Sequence, residues 1–185
     1  MAYTVPRRLY RIKDGKVQEE VSVKDIQYAS WLSSDNEGGI WLGSYTDNQL
    51  AHYRDGRLQV VSLPTRESTP PPIVHYLLAE SANSVWVATN SGLFRWKDGQ
   101  GKNLGINDAL PCSLLFSLIK DDHGSLWMYT NCGLVSISQS ELEKWWDHPD
   151  HRVVLTTFEA SEGVRPGSTA AQPRTSKTKD GRLWF

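Results

Sequence analysis

Four times along the chain a tryptophan stands between two large apolar residues: Ile40-Trp41-Leu42, Val85-Trp86-Val87, Leu126-Trp127-Met128 and Leu183-Trp184-Phe185. Three positions before each tryptophan lie Gly38, Asn83, Gly124 and Gly181, residue types that accept positive φ at low cost. A tight turn followed by three consecutive apolar positions predicts a hairpin leading into a strand covered on both faces. The spacings of 45, 41 and 57 residues mark an internal repeat.

The flanking segments complete the unit. Apolar stretches precede each turn at 26–35, 73–80 and 113–122, and "QLAHYRDG", "GLFRWKDG" and "GLVSIS" follow at 49–56, 92–99 and 133–138. Asp-Gly at 55–56 and 98–99 signals further hairpins, and "RLQVVSL" reads as a returning strand. Four short antiparallel strands in roughly 40–45 residues describe a propeller blade, and no 3.6-residue periodicity supports a helical solenoid. One helix is predicted, over 138–148, from its serine cap and early acidic residues; it accounts for the longest spacing.

The predicted fold is therefore all-β: a β-propeller arc of four-stranded antiparallel blades, three complete and two partial, with one short helix in the third blade. The pieces are 1–23 (partial, entering at a third strand), 24–63, 73–105, 112–160 with the helix insertion, and 172–185 (partial). Trp41, Trp86, Trp127 and Trp184 are expected in the blade core, wedged between sheets. Two arrangements compete for the ends, a longer array with further blades or a closure that joins the two half-blades. Uncovered end faces favour the first.

Bulk properties narrow the function. The net charge of −1 over 185 residues argues against a general nucleic-acid or membrane-surface binder. No run reaches the roughly 18 apolar residues of a membrane helix, and the first residues lack the apolar core of a secretory signal. Eight tryptophans and seven tyrosines beside two methionines suit strands. Cys112 and Cys132 either pair or stay free; the sequence leaves both open.

The repeat resembles the two-component regulator propeller family, on "DDHGSLWMYTNCGLVSI", "AESANSVWVATNSGLFRW", "SDNEGGIWLGSYTDNQLAHY" and "KTKDGRLWF". The third has a longer linker and no Gly-Leu, and the last matches as far as it extends. The resemblance implies the extracytoplasmic input portion of a bacterial sensor histidine kinase, often a hybrid one. Such portions are followed by a β-sandwich, a membrane helix and cytoplasmic output domains, none of which occurs here. It also implies a periplasmic location, a small-molecule ligand such as an oligosaccharide, dimerisation of the full-length protein, and contacts to its remaining blades and kinase portion. No catalysis is expected on this chain. A propeller enzyme of the lyase or hydrolase kind and a pure interaction scaffold are the competing readings. A convergent His/Glu set on equivalent loops, which an enzyme would want, is missing.

Other chemistry is weak. No phosphate loop, nucleophile elbow or H-E-x-x-H motif occurs, and S-x-x-K at Ser117–Lys120 lies on a repeat strand without its partner motifs. "DHPDH" at 147–151 holds His148, His151, Asp147 and Asp150, half of a metal site with no second cluster, and is read as a solvated loop. "SDNEGG" and "KDDHGS" lack the distal glutamate of a calcium loop and are read as polar turns. Neither a metal nor a cofactor is predicted. Ligands are expected on the propeller end that carries the loops between second and third strands and the connections between blades. The candidates there are Tyr45, Asp47, Asn48, His75, Asn90, Asn131 and Arg165, which offer an aromatic platform and planar hydrogen-bonding groups. For Asn90 and Asn131 a plain turn-forming role competes with ligand contact.

Overall fold

Each apolar stretch of the repeat forms a strand, and the strands assemble in sequence order into separate antiparallel sheets. The computed structural model describes residues 8–26, 28–46, 48–64, 71–148, 150–165 and 175–185. A two-stranded sheet comes first, β1 (Arg8–Lys13) and β2 (Lys16–Ser22). Three four-stranded sheets follow. The first contains β3 (Ala29–Ser34), β4 (Ile40–Ser44), β5 (Gln49–Arg54) and β6 (Arg57–Ser62). The second contains β7 (Val74–Ser81), β8 (Ser84–Thr89), β9 (Gly92–Lys97) and β10 (Gln100–Leu104). The third contains β11 (Leu115–Lys120), β12 (Leu126–Thr130), β13 (Gly133–Ile137) and β14 (Thr156–Phe158). A last pair is formed by β15 (Ser176–Lys177) and β16 (Leu183–Trp184). The molecule is a partial β-propeller. No helix among the described residues is long and apolar enough to cross a membrane.

Strand order follows from the hairpins. Asp14-Gly15, Asp55-Gly56 and Asp98-Gly99 all have positive φ at both residues, the conformation that matches a two-residue turn to the twist of its strands. Gly38, Gly124 and Gly181 also take positive φ, whereas Asn83 does not. In the second blade β7 is one residue longer at its bulge near Glu80, so Ser81 pairs Ser84 and an ordinary two-residue turn suffices. In the third blade α1 (Gln139–Asp147) replaces the hairpin between β13 and β14; Ser138 caps it by accepting a bond from Glu141 N.

One apolar cluster fills each of the first three junctions between sheets. The first joins Leu9, Val23 and Ile26 to Leu42 and Ala51; the second joins Trp41, Leu50 and Leu63 to Val74, Leu77, Val85 and Val87. The third joins Trp86, Leu93 and Leu104 to Leu115, Leu118, Leu126 and Met128, and the helix adds Leu142 and Trp145. Alternation along the second strand explains the repeat: the tryptophan faces the following sheet and its two neighbours face the preceding one. Trp41 and Trp86 are each 1% exposed. Trp127 is half-buried against Phe158 and Phe185, with ring centroids 5.6 and 6.4 Å away. Trp184 departs from the expected core role at 58% exposure, because no described sheet packs on the outer face of β15–β16.

An acidic residue six positions before each of the first three tryptophans fastens its sheet. Asp35 Oδ1 accepts the backbone N–H groups of Glu37 and Gly39, and its Oδ2 accepts from His52 Nε2 at 2.7 Å. Asp121 does the same with His123 and Ser125, and its second oxygen takes the Trp127 indole N–H at 2.9 Å. "SDNEGG" and "KDDHGS" are thus hairpin turns closed by their own aspartates. Glu80 accepts from Ser84 Oγ at 2.8 Å and from Arg95 at 3.1 Å, and it pairs with Lys120 on the next blade. Arg95 lies opposite Trp86 on the neighbouring strand, as His52 lies opposite Trp41, and its guanidinium sits 4.3 Å from the Trp86 ring centre.

Burial pushes the Glu80 carboxyl up, but Lys120 and Ser84 outweigh it and hold the carboxyl at about 2, against an ordinary 4.5. A depressed folded pKa contributes stability above the unfolded value that is lost as pH falls through the folded one. Urea titrations should therefore show wild-type stability declining between pH 4.5 and 2 more steeply than that of Glu80→Gln. At neutral pH the substitution should cost about 2 kcal/mol, between exposed and fully buried ion pairs. Equal stabilities at pH 7 would contradict the assignment.

Candidate functional site

The loops between second and third strands are built alike. Each second strand ends on a buried hydroxyl: Ser44, Thr89 and Thr130, at 0%, 0% and 1% exposure. Thr89 Oγ1 donates to Gly92 O at 2.9 Å and accepts from Ser91 N at 2.9 Å. Thr130 Oγ1 donates to Gly133 O at 2.8 Å and accepts from Cys132 N at 3.2 Å; Ser44 Oγ accepts from Thr46 N at 3.2 Å. The next residue of each loop sends its backbone N–H to the connection that enters the same blade: Tyr45 to Tyr28 O, Asn90 to Ile73 O, and Asn131 to Leu114 O. Three loops and three connections are thereby pinned together at one end of the arc.

Tyr45 is 52% exposed, and Tyr28, which accepts its backbone bond, is 62% exposed. Tyr28 has φ +47°, a left-handed conformation that costs a bulky side chain roughly 1–2 kcal/mol. Strain of this kind concentrates at ligand-binding positions. Asn48 donates its amide to Leu63 O at 2.8 Å, and its own carbonyl accepts from Leu63 N, which anchors the outgoing connection. Asn90 Oδ1 accepts from Ile73 N at 2.8 Å and from Ser91 Oγ at 3.3 Å, so this side chain ties its loop to the connection. Asn131 is exposed. Asp47 lies outside the described residues.

A second group spans the second and third blades. The inner strands β3, β7 and β11 each bulge one residue in from this end, at Ser30, His75 and Phe116. The His75 ring stacks on Phe116 with centroids 6.3 Å apart, its Nδ1 lies 3.0 Å from Leu115 O, and Phe116 meets Tyr129 at 6.1 Å. The Tyr129 hydroxyl donates to the Arg165 carbonyl at 3.0 Å. His75 and Arg165, chosen separately from the sequence, therefore belong to one chain of contacts through Phe116 and Tyr129. Sequence reasoning passed over Tyr28, Phe116 and Tyr129. Phe116 carries a usable signal, standing at the same inner-strand position as His75, but a backbone angle such as that of Tyr28 leaves no trace in composition.

Cys112 and Cys132 form a disulfide with Cα atoms 6.3 Å apart, which joins the connection ahead of β11 to the β12–β13 loop. Of the alternatives left open by the sequence, the structure takes the pair. Among the described residues no three His, Cys, Asp or Glu side chains gather where they could hold a metal ion. The chemistry on offer at this end is stacking on tyrosine rings and hydrogen bonding from backbone and amide groups.

No family model and no curated protein matches the chain. Solved structures share its fold. The extracellular domain of BT3049 from B. thetaiotaomicron, described as a hybrid two-component system, superposes with a TM-score of 0.70 at 18% identity over 95% of this chain. That of BT4673 from the same organism, described as a one-component system, gives 0.66 at 18% identity over 96%. Virginiamycin B lyase from Staphylococcus aureus gives 0.61 at 18% identity over 83%. The chain spans 23% of the length of each of the first two and 49% of the lyase. These likenesses establish the propeller fold.

Two outcomes test the construction of this end. Reduction of the disulfide should lower unfolding free energy by about 3 kcal/mol, from the closure entropy of its loop; an unchanged urea midpoint under reductant would show the bond absent. Tyr28→Gly should be more stable than Tyr28→Ala by about 1 kcal/mol, since only glycine is free of the left-handed penalty. Equal stabilities would remove the strain assigned to Tyr28.

Proposed function

We propose that the chain is the ligand-sensing portion of an extracytoplasmic sensor propeller of a bacterial two-component system, without catalysis of its own. The observation that carries this reading is the fold shared with the extracellular domains of BT3049 and BT4673 over 95% and 96% of the chain. Exposed Tyr28 and Tyr45 on the loop end, where propellers take ligands, support it. A disulfide in that end fits an oxidising compartment outside the cytoplasm. The ligand class is a small hydroxylated molecule such as an oligosaccharide, stacked on the tyrosines. Tyr45, Asp47 and Asn131 supply contacts from the loops, His75 and Arg165 from the neighbouring blades. Asn48 and Asn90 hold the loops that present them. Ligand binding would be passed to the remaining blades and the kinase portion of a membrane-spanning dimer.

The lyase of the same fold keeps an enzymatic reading in competition. Titration of the chain with an oligosaccharide panel, followed by tyrosine and tryptophan fluorescence, separates the two. The proposed reading expects saturable binding with recovery of unchanged ligand, weakened about tenfold or more by Tyr45→Ala. Turnover of any bound oligosaccharide would favour the enzyme. No binding across a broad panel would reject the oligosaccharide class.

A further inference from the structure

The helix inserted into the third blade borders a cleft. It lies between the second and third blades, bounded by the outer strand β10 with the connection that follows it and by the segment after α1, and has a volume of ≈ 610 Å³. That volume lies within the range of small-molecule sites, roughly 300–1,000 Å³. Trp145, buried at 6% exposure, is shared between this cleft and the core.

Both walls are fixed. On one side Gly105 O accepts the N–H groups of Asp108, Ala109 and Leu110, while Asp108 Oδ2 accepts from Gly105 N at 2.9 Å. On the other side Glu141 Oε2 accepts from His151 Nε2 at 2.8 Å and from Val154 N at 3.0 Å, and Val153 is buried between these anchors. Lys144, His151 and the Val154 N–H together hold the Glu141 carboxyl at about 2, so the anchor is an anion throughout the neutral range. Lys102 spends its ammonium on the carbonyls of Trp145 and Trp146 at the end of the helix. The groups that build the cleft are thus already satisfied.

Three lining side chains are not. Among the described residues Asn107, Asp150 and Arg152 have no hydrogen bond or ion pair. A guanidinium and a carboxylate two positions apart complement a ligand carrying both a carboxylate and an ammonium. Arg152 matches the carboxylate with its planar fork, Asp150 accepts from the ammonium, and the Asn107 amide can serve either group. A simple anion would face Asp150, and a simple cation would face Arg152; a zwitterion complements both charges. Anchoring of His151 and Val154 on either side of Arg152 lowers the ordering cost of binding.

We propose that this cleft, beside the connection from β10 to β11, is a second ligand site distinct from the surface that carries Tyr28 and Tyr45, and that it takes a small zwitterion of which a free α-amino acid is the simplest. It resolves part of the "DHPDH" segment: His151 braces the wall through Glu141, and Asp150 presents a carboxylate to the cleft. The proposal does not depend on the reading of the loop end, and failure of either leaves the other standing.

Isothermal titration of the chain with the common L-amino acids tests it, alongside their N-acetyl and C-amide derivatives, acetate and glucose. At least one free amino acid should bind. Blocking either its ammonium or its carboxylate should weaken binding about tenfold or more, the scale of a charged hydrogen bond. Arg152→Gln and Asp150→Asn, both at exposed positions and so compatible with folding, should each do the same. Binding by none of the amino acids at millimolar concentration would overturn the site. So would equal binding of a blocked derivative, acetate or glucose, or affinity unchanged in both variants.

Discussion

The fold depends on how an acid in the first hairpin of each complete blade is neutralised. That acid sits six residues ahead of the tryptophan, where the chain turns out of the innermost strand. Its oxygens must find donors, because the turn is pressed against the third strand of its own blade. In the first blade the donor is His52, and burial raises the Asp35 carboxyl while His52 and two backbone N–H groups draw it below the ordinary range. In the second it is Arg95, reinforced across the junction by Lys120. In the third, Ser136 occupies the position opposite the tryptophan, and Asp121 takes the indole N–H of Trp127 instead. One geometric requirement has three chemical solutions, and each locks the strand that carries the tryptophan.

The two ends of the arc are consequently built from different materials. At the hairpin end, charges are paired among themselves: Glu80 with Arg95 and Lys120, Glu37 with Arg54, and Asp35 with His52. At the loop end the turns close through buried hydroxyls, backbone bonds and one disulfide. None of those devices consumes the rings of Tyr28 and Tyr45, which remain in solvent. The helix insertion adds a third kind of surface, a polar cleft whose builders are satisfied and in which Asn107, Asp150 and Arg152 are left for a ligand.

Much of this was visible in the sequence, because a repeat displays its own alignment. The apolar-Trp-apolar triplets mark the second strands, the Asp-Gly pairs mark the outer hairpins, and Ser138 marks the start of the helix. What stayed hidden depends on neighbours distant in the chain. Asn83 resembles the turn glycines, yet a bulge at Glu80 relieves it of positive φ. Trp184 has the same triplet as Trp41, but exposure is decided by the sheet packed next to it. The acids could be counted back from the tryptophans, but their partners His52, Arg95 and Lys120 become apparent only when strands are paired. Among the site candidates, Asn90 shows the same limit: its amide binds Ile73 N, a contact set by the connection between blades.

The most direct test of the central claim is a double-mutant cycle between Glu80 and Lys120, which sit on adjacent blades, read by urea unfolding of Glu80→Gln, Lys120→Met and the double variant. If the buried acid couples successive sheets, the two substitutions should be non-additive, with an interaction energy of about 1 kcal/mol or more. Additive effects would mean that the blades are joined by apolar packing alone, and would contradict the account.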